Sequence, residues 1–388
     1  MSIFLEGFQS LISKISSVSA DPEARGSAMP DVVDNLDSVR GLACILVVAL
    51  HVVGVDAATG LRLDMSSPWH YVMTSLEFLR MPLFTALSGY LYAGNRVSRQ
   101  GFDRFWSKKL QRIGVPLLFV TTLVWILRRF VYHDSGTIFS ALFFAYEHLW
   151  YLQSLLLIFL TVSVWDSFVR PTWSALLLAT LAIIMLAQSV TSLPDFFSFG
   201  GAIYLMPYFF FGIVLREQAK VLLTDQIAGI ALGIVIIVLI TQQFYLNGLA
   251  NEITLMQLPA ALAGMAGVAF LLRRFPRNAQ LAAIGRYSYT IYLWHTIFVA
   301  GTRMVLVKAD VVSHAAVFCA ASVMGIAAPI ILHIVAARSS MLCLMLTGTR
   351  GVPRVRPRGA RLVSMGTAGS TIGASILPQG RELPEVGV

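Results

Sequence analysis

Apolar residues in this chain come in continuous stretches of about twenty, separated by short polar breaks. Stretches of that length and character predict helices that cross a bilayer. About ten are expected, near 39–57, 70–93, 113–132, 148–168, 172–190, 198–215, 226–245, 253–272, 284–304 and 313–336. The runs are unbroken rather than alternating with period two, which argues against a barrel. The fold class expected is therefore all-α, a polytopic membrane bundle. Its connections are mostly short, so residues 36–336 read as a single transmembrane domain. No internal repeat stands out. Residues 1–35 form an N-terminal segment in which Phe4–Ile15 is weakly amphipathic but lacks the basic start and long apolar core of a cleavable signal. Residues 337–388, rich in Gly, Ser, Pro and Arg, read as a disordered basic tail lying on an anionic leaflet.

Composition agrees. Of 388 residues, 57% are apolar and 13% charged, where a soluble domain carries about 25% charge. Mean hydropathy is +0.74. The net charge of +9 matters less than its placement. With the N-terminus in the cytoplasm, most of the 29 lysines and arginines fall on cytoplasmic segments, which puts both termini on that side. The basic tail lacks the aromatic interleaving of a nucleic-acid surface, so no nucleic-acid partner is expected. The cysteines, Cys44, Cys319 and Cys343, are far apart and form no CxxC or zinc spacing.

Ionisable residues inside spans are costly and usually face the bundle interior. The first span, LDSVRGLACILVVALH (36–51), carries Arg40 at its start and His51 eleven positions on. Eleven helical steps return to nearly the same face, about 16 Å further along. A boundary anchor plus a satisfied interior histidine would look the same. Counting residues from the boundaries brings Arg80 and His295 to the depth of His51, near the midplane. Glu77 lies three residues before Arg80, spaced to pair with it along one face. His70, His148 and His314 count to outer boundaries and His333 to the inner one. Glu147, His148 and Trp150 set a carboxylate, an imidazole and a ring at the outer rim, as an aromatic belt or a sugar surface would. On the cytoplasmic side Lys109 and Arg112 are one turn apart before Pro116, and read as either headgroup contacts or a phosphate site. No HExxH, paired-histidine ligand spacing or GxSxG elbow occurs, so no metal is expected. Ser88-Gly89 offers a small close-approach surface rather than a nucleophile.

Taken in order, these segments resemble the membrane-bound acyltransferase 3 family of transmembrane O-acyltransferases. The resemblance rests on Arg40 and His51 with ten residues between them, RMPLFTALSGYLY (80–92), KKLQRIGVPLL (108–118), HLWYLQSLLLIF (148–159) and IGRYSYTIYLWHTIFV (284–299), and covers about residues 36–336. Two positions depart from the family pattern. The basic pair is Lys-x-x-Arg rather than Arg-x-x-Arg, and Arg80 stands where relatives often carry His, which bears on acceptor or acyl specificity.

The resemblance implies acyl transfer, acetyl or succinyl, from cytoplasmic acyl-CoA to a hydroxyl of a cell-surface polysaccharide or lipid-linked glycan. It implies a bacterial inner-membrane enzyme with no tightly bound cofactor, acyl-CoA serving as donor substrate. Membrane lipids surround it, and glycan-assembly proteins are natural associates. Under this reading His51 and Arg40 are the catalytic pair, His51 as the general base or, in a rival mechanism, the acyl carrier, and Lys109, Arg112 and Arg40 bind CoA phosphates. Arg80, Glu77, Ser88, Glu147, His148, Trp150 and His295 are the substrate-side candidates. Arg80 would stabilise an oxyanion or hold the free carboxylate of a dicarboxylic acyl group. A different class fits the same buried charges: a proton-coupled transporter or a flippase of a lipid-linked sugar.

Overall fold

In the computed structural model, residues 30–189, 196–246 and 258–349 are described. The N-terminal stretch and most of the tail considered above lie outside these residues. The helices are α1 (Pro30–Val53), α2 (Pro68–Ser75), α3 (Glu77–Ala93), α4 (Phe102–Lys109), α5 (Val115–Tyr132) and α6 (Ile138–Phe143). There follow α7 (Trp150–Phe168), α8 (Trp173–Ser189), α9 (Phe199–Glu217), α10 (Asp225–Leu246) and α11 (Leu258–Arg274). The chain ends with α12 (Ala279–Arg286), α13 (Ser288–Lys308), α14 (His314–Ala336) and α15 (Ser340–Thr347). The described residues are helical with no named strand.

Among the described residues seven helices are long and apolar enough to cross a membrane, so the chain is a multi-pass membrane protein. The other three expected spans take different forms. Residues 70–93 are not one helix: α2 and α3 meet at Leu76, which leaves the helical region at φ −103°, ψ 9°. Helices α8 and α11 are helical where expected, but at 17 residues each. The first span ends at Val53, four residues earlier than its apolar run suggests. Gly54, at φ 106°, turns the chain, and the Leu61 N–H donates to the Val53 carbonyl at 2.9 Å. Only a glycine adopts that backbone without strain.

Helix α9 packs extensively along α3. Its Tyr208, Phe209 and Phe210 are fully buried, as are Leu83 and Leu87 of α3. Lipid tails are as apolar as leucine, so tight helix contact comes from small residues that let backbones meet. Gly89 of the SGY segment and Gly212 of α9 do this reciprocally. A Cβ on Gly89 would collide with the Phe209 carbonyl oxygen, and one on Gly212 with that of Ala86. Gly41 and Gly285 bring α12 against the start of α1 in the same way. Ser88, by contrast, donates its hydroxyl to the Phe84 carbonyl at 2.9 Å. The close-approach reading of Ser88-Gly89 therefore matches the packing. Gly89→Val must push α3 from α9, an overpacking cost of about 1–3 kcal/mol or more. Thermal unfolding in detergent checks this, with a clear drop in Tm expected.

Residues 337–349, grouped with the tail from composition, carry α15. It packs against α5 and α14. The Trp294 indole N–H donates to the Leu346 carbonyl at 2.9 Å. Apolar residues at 341–346 interrupt the Gly, Pro and Arg pattern and were the available signal.

Candidate active site

Three histidines from three helical segments converge. The ring of His51, in the last turn of α1, lies 4.9 Å from that of His295 on α13 and 6.1 Å from that of His148, just before α7. His148 and His295 are 5.2 Å apart. The meeting of His51 with His295 follows the depth count. The place of His148 does not: it is buried inside the bundle, 5% exposed, rather than at a boundary. A residue count locates depth only where a span runs straight from surface to surface, and the chain before α7 turns inward, with Glu147 at φ 49°.

Hydrogen bonds fix two of the three imidazoles. Carbonyl oxygens only accept, so a ring nitrogen facing one must carry a proton. His295 Nδ1 lies 3.0 Å from the Ile291 carbonyl and 2.9 Å from that of Tyr292, and is therefore the protonated nitrogen. Its Nε2 then carries a lone pair and has no hydrogen-bond partner, although the residue is wholly buried. His148 Nε2 faces the Leu293 carbonyl at 3.3 Å, leaving Nδ1 to accept from the Thr296 hydroxyl, also at 3.3 Å. The Tyr292 hydroxyl donates to the His148 carbonyl. His51 is half-buried and has one face open.

That face looks into a cavity of about 1080 Å³. Its lining includes Val47, His51 and His148. Trp150, Tyr204 and Tyr292 supply rings, and Glu77, Arg80, Arg128, Glu147 and Arg303 supply charge. Glu147 accepts from Arg128, which also donates to Asp134 at 3.1 Å. Asp56, on the loop after α1, also lines it. The Ala58 backbone N–H and then the Thr59 hydroxyl hold its carboxyl below the usual carboxylate range. Thr296, Tyr292, Tyr204 and the loop after Gly54 went unremarked in the sequence. Thr296 and Tyr292 flank His295, and their spacing was the one available signal.

Arg40, Lys109 and Arg112 do not line this cavity, nor does Ser88. Arg40 pairs with Asp37 at 3.0 Å. Leu110–Gly114 between α4 and α5 is a π-turn, which widens the helical step between Lys109 and Arg112. Lys109 places its ammonium 3.6 Å from the centre of the Phe159 ring, while Arg112 is exposed. π-Turns inside helices recur at functional sites. The Arg112 carbonyl accepts from the Tyr289 hydroxyl at 2.7 Å. Tyr289 lies in the first turn of α13 six residues before His295, which links the basic end to the histidines.

The expected Glu77–Arg80 pair does not form. Among the described residues no ion pair within 4.0 Å joins them, and Arg80 Nη1 has no hydrogen-bond partner. A second buried network was not foreseen. Arg96, with a side chain 1% exposed, meets Asp166 through two hydrogen bonds (2.9 and 2.5 Å) and Glu217 at 2.7 Å. Tyr92 donates to the same Asp166 at 2.7 Å. Burial works against the charge of Arg96, but the Asp166 and Glu217 contacts outweigh it and raise its pKa above the ordinary value. Among the described residues no three His, Cys, Asp or Glu side chains come together as a metal site would require.

A family model described as an acyltransferase domain matches residues 33–334. The chain is similar to the nodulation protein NolL of Sinorhizobium fredii, 27% identical over 196 residues, covering 48% of this chain and 50% of that protein. It is also similar to NolL of Mesorhizobium japonicum, 29% identical over 118 residues, 29% of this chain and 30% of that protein. The match thus spans half or less of the length of these relatives. No solved structure matches the chain.

Proposed function

This chain belongs to the acyltransferase 3 family, and we propose that it moves an acetyl or succinyl group from cytoplasmic acyl-CoA to a hydroxyl of an exported polysaccharide or lipid-linked glycan. The setting would be the bacterial plasma membrane, with about ten spans and both termini cytoplasmic. The observation that carries the reading is His51: half-buried, lining a large cavity, backed by two histidines whose own protons are tied up.

The cavity stops at Val47, one helical turn from His51 on the Arg40 side. The acceptor therefore enters from the far side and the donor from the basic end. There Arg112, Arg40 and Lys109 hold the phosphates of CoA, and the thioester is carried toward His51. Residues between, including Tyr289 and the π-turn, must part to admit the donor arm. His51 takes the proton of the acceptor hydroxyl as its oxygen attacks the thioester carbonyl. The tetrahedral intermediate collapses, the carbon–sulfur bond breaks, and the proton passes to the departing thiolate. Trp150, Tyr204 and Tyr292 give sugar rings apolar faces to lie against. Glu147 and Arg128, already bonded to each other, shape the mouth.

Mixing membranes that hold acyl-CoA and acceptor glycan should release free thiol only when this protein is present. A transporter or flippase releases none. Arg112→Ala is expected to raise KM for acyl-CoA about tenfold, the order of one charge-assisted contact, with kcat little changed. Lys109→Ala should cost less, because its ammonium already rests on Phe159. Steady-state kinetics with varied donor separates the two.

A further inference from the structure

We propose that Arg80 is the binding site for a carboxylate or phosphate on the substrate that fills the cavity; calling that molecule a substrate rests on the acyl-transfer reading above. Arg80 is 5% exposed, lines the cavity with His51, and leaves Nη1 without a partner. A guanidinium cannot shed its proton, so burial does not neutralise it. Buried charges are retained where something completes them.

Glu77, one turn earlier on α3, is the nearest candidate, and it stands in the same wall without closing an ion pair. The other charged groups around the cavity are committed or peripheral. Arg128 is bonded to Asp134 and Glu147, Arg303 donates to the Gly60 carbonyl, and Arg62 is exposed. Asp56 accepts from its own loop. Tyr204 adds a ring beside Arg80 in the lining. The wall thus offers an open cation and, a helical turn away, an acceptor for hydroxyls. A hydroxylated anion satisfies both at once. The group has two sources: an acidic sugar of the acceptor, or the free end of a dicarboxylic acyl chain.

The test is binding to the purified full chain in detergent, read by thermal shift and calorimetry. One arm compares a glucuronate tetrasaccharide, with glucose 1-phosphate as the phosphate probe, against neutral cellotetraose. The other compares succinyl-CoA with acetyl-CoA. In at least one arm the anionic probe should bind about 10–100-fold more tightly than its neutral counterpart. Arg80→Met should abolish that preference and Arg80→Lys keep part of it. The empty Arg80→Met protein should match or exceed the wild-type Tm, since it loses an unpaired buried charge. The arm that responds identifies the source of the anion. Equal binding of anionic and neutral probes in both arms overturns the proposal, as does a preference that survives Arg80→Met or a large fall in the Tm of that variant. Thiol release from acyl-CoA is followed separately, so failure of acyl transfer is told apart from failure of anion binding.

Discussion

His51→Ala should lower acyl transfer by about 10²–10⁴-fold, the range for losing a positioned general base. The variant should still bind acyl-CoA, because Arg40 and Arg112 lie at the other end of α1 and of the bundle. It should also fold. Among the described residues His51 makes no hydrogen bond that holds another helix, whereas His148 and His295 each bond backbone carbonyls. The loss should therefore fall on kcat with KM for the donor almost unchanged. The measurement is kcat and donor KM in reconstituted protein. An equal rise in donor KM would mean that His51 binds the donor rather than reacting.

Asp166→Ala should be the most damaging substitution away from the cavity. It strips Arg96 of a two-bond carboxylate partner and Tyr92 of its acceptor, in surroundings where the Arg96 side chain is 1% exposed. Removing one member of a buried pair costs about 3–5 kcal/mol, because the remaining charge stays buried without compensation. Glu217 retains one contact to Arg96 and limits the loss. Replacing both partners, Asp166→Ala with Arg96→Met, should recover much of the stability, whereas independent sites would simply add. Thermal unfolding of the two single variants and the double variant provides the cycle. Strict additivity would show that the pair is not coupled.

The helices were legible because apolar runs of about twenty residues leave little choice of structure. The meeting of His51 with His295 was legible too, since both lie on helices that run as counted. Three things were not. His148 was assigned to a boundary because counting assumes straight spans, and α7 is entered by an inward turn. The break at Leu76 carries no glycine or proline at the break itself, and only the geometry shows it. Arg96 was counted as one more basic residue on a loop, because nothing local ties it to Asp166, seventy positions away. Lys109 and Arg112 show a related effect: their spacing does not reveal the π-turn between them, nor that Lys109 rests on Phe159 while Arg112 is exposed.

The reading of Arg80 has the same root. Three residues of separation suggested a pair with Glu77, yet both side chains border open space, and neither needs the other if a ligand supplies the complement. The sequence also could not show that the cavity stops near Val47. In the proposed reaction that end point separates the donor side from the acceptor side.

The division can be tested across a bilayer. With the protein reconstituted in one orientation in sealed vesicles, labelled acyl-CoA is supplied only at the face bearing Arg40 and Arg112, and acceptor glycan only at the opposite face. The account predicts labelled glycan with intact His51 and none with His51→Ala. Label that appears only when donor and acceptor share a face, or that persists with His51→Ala, would contradict it.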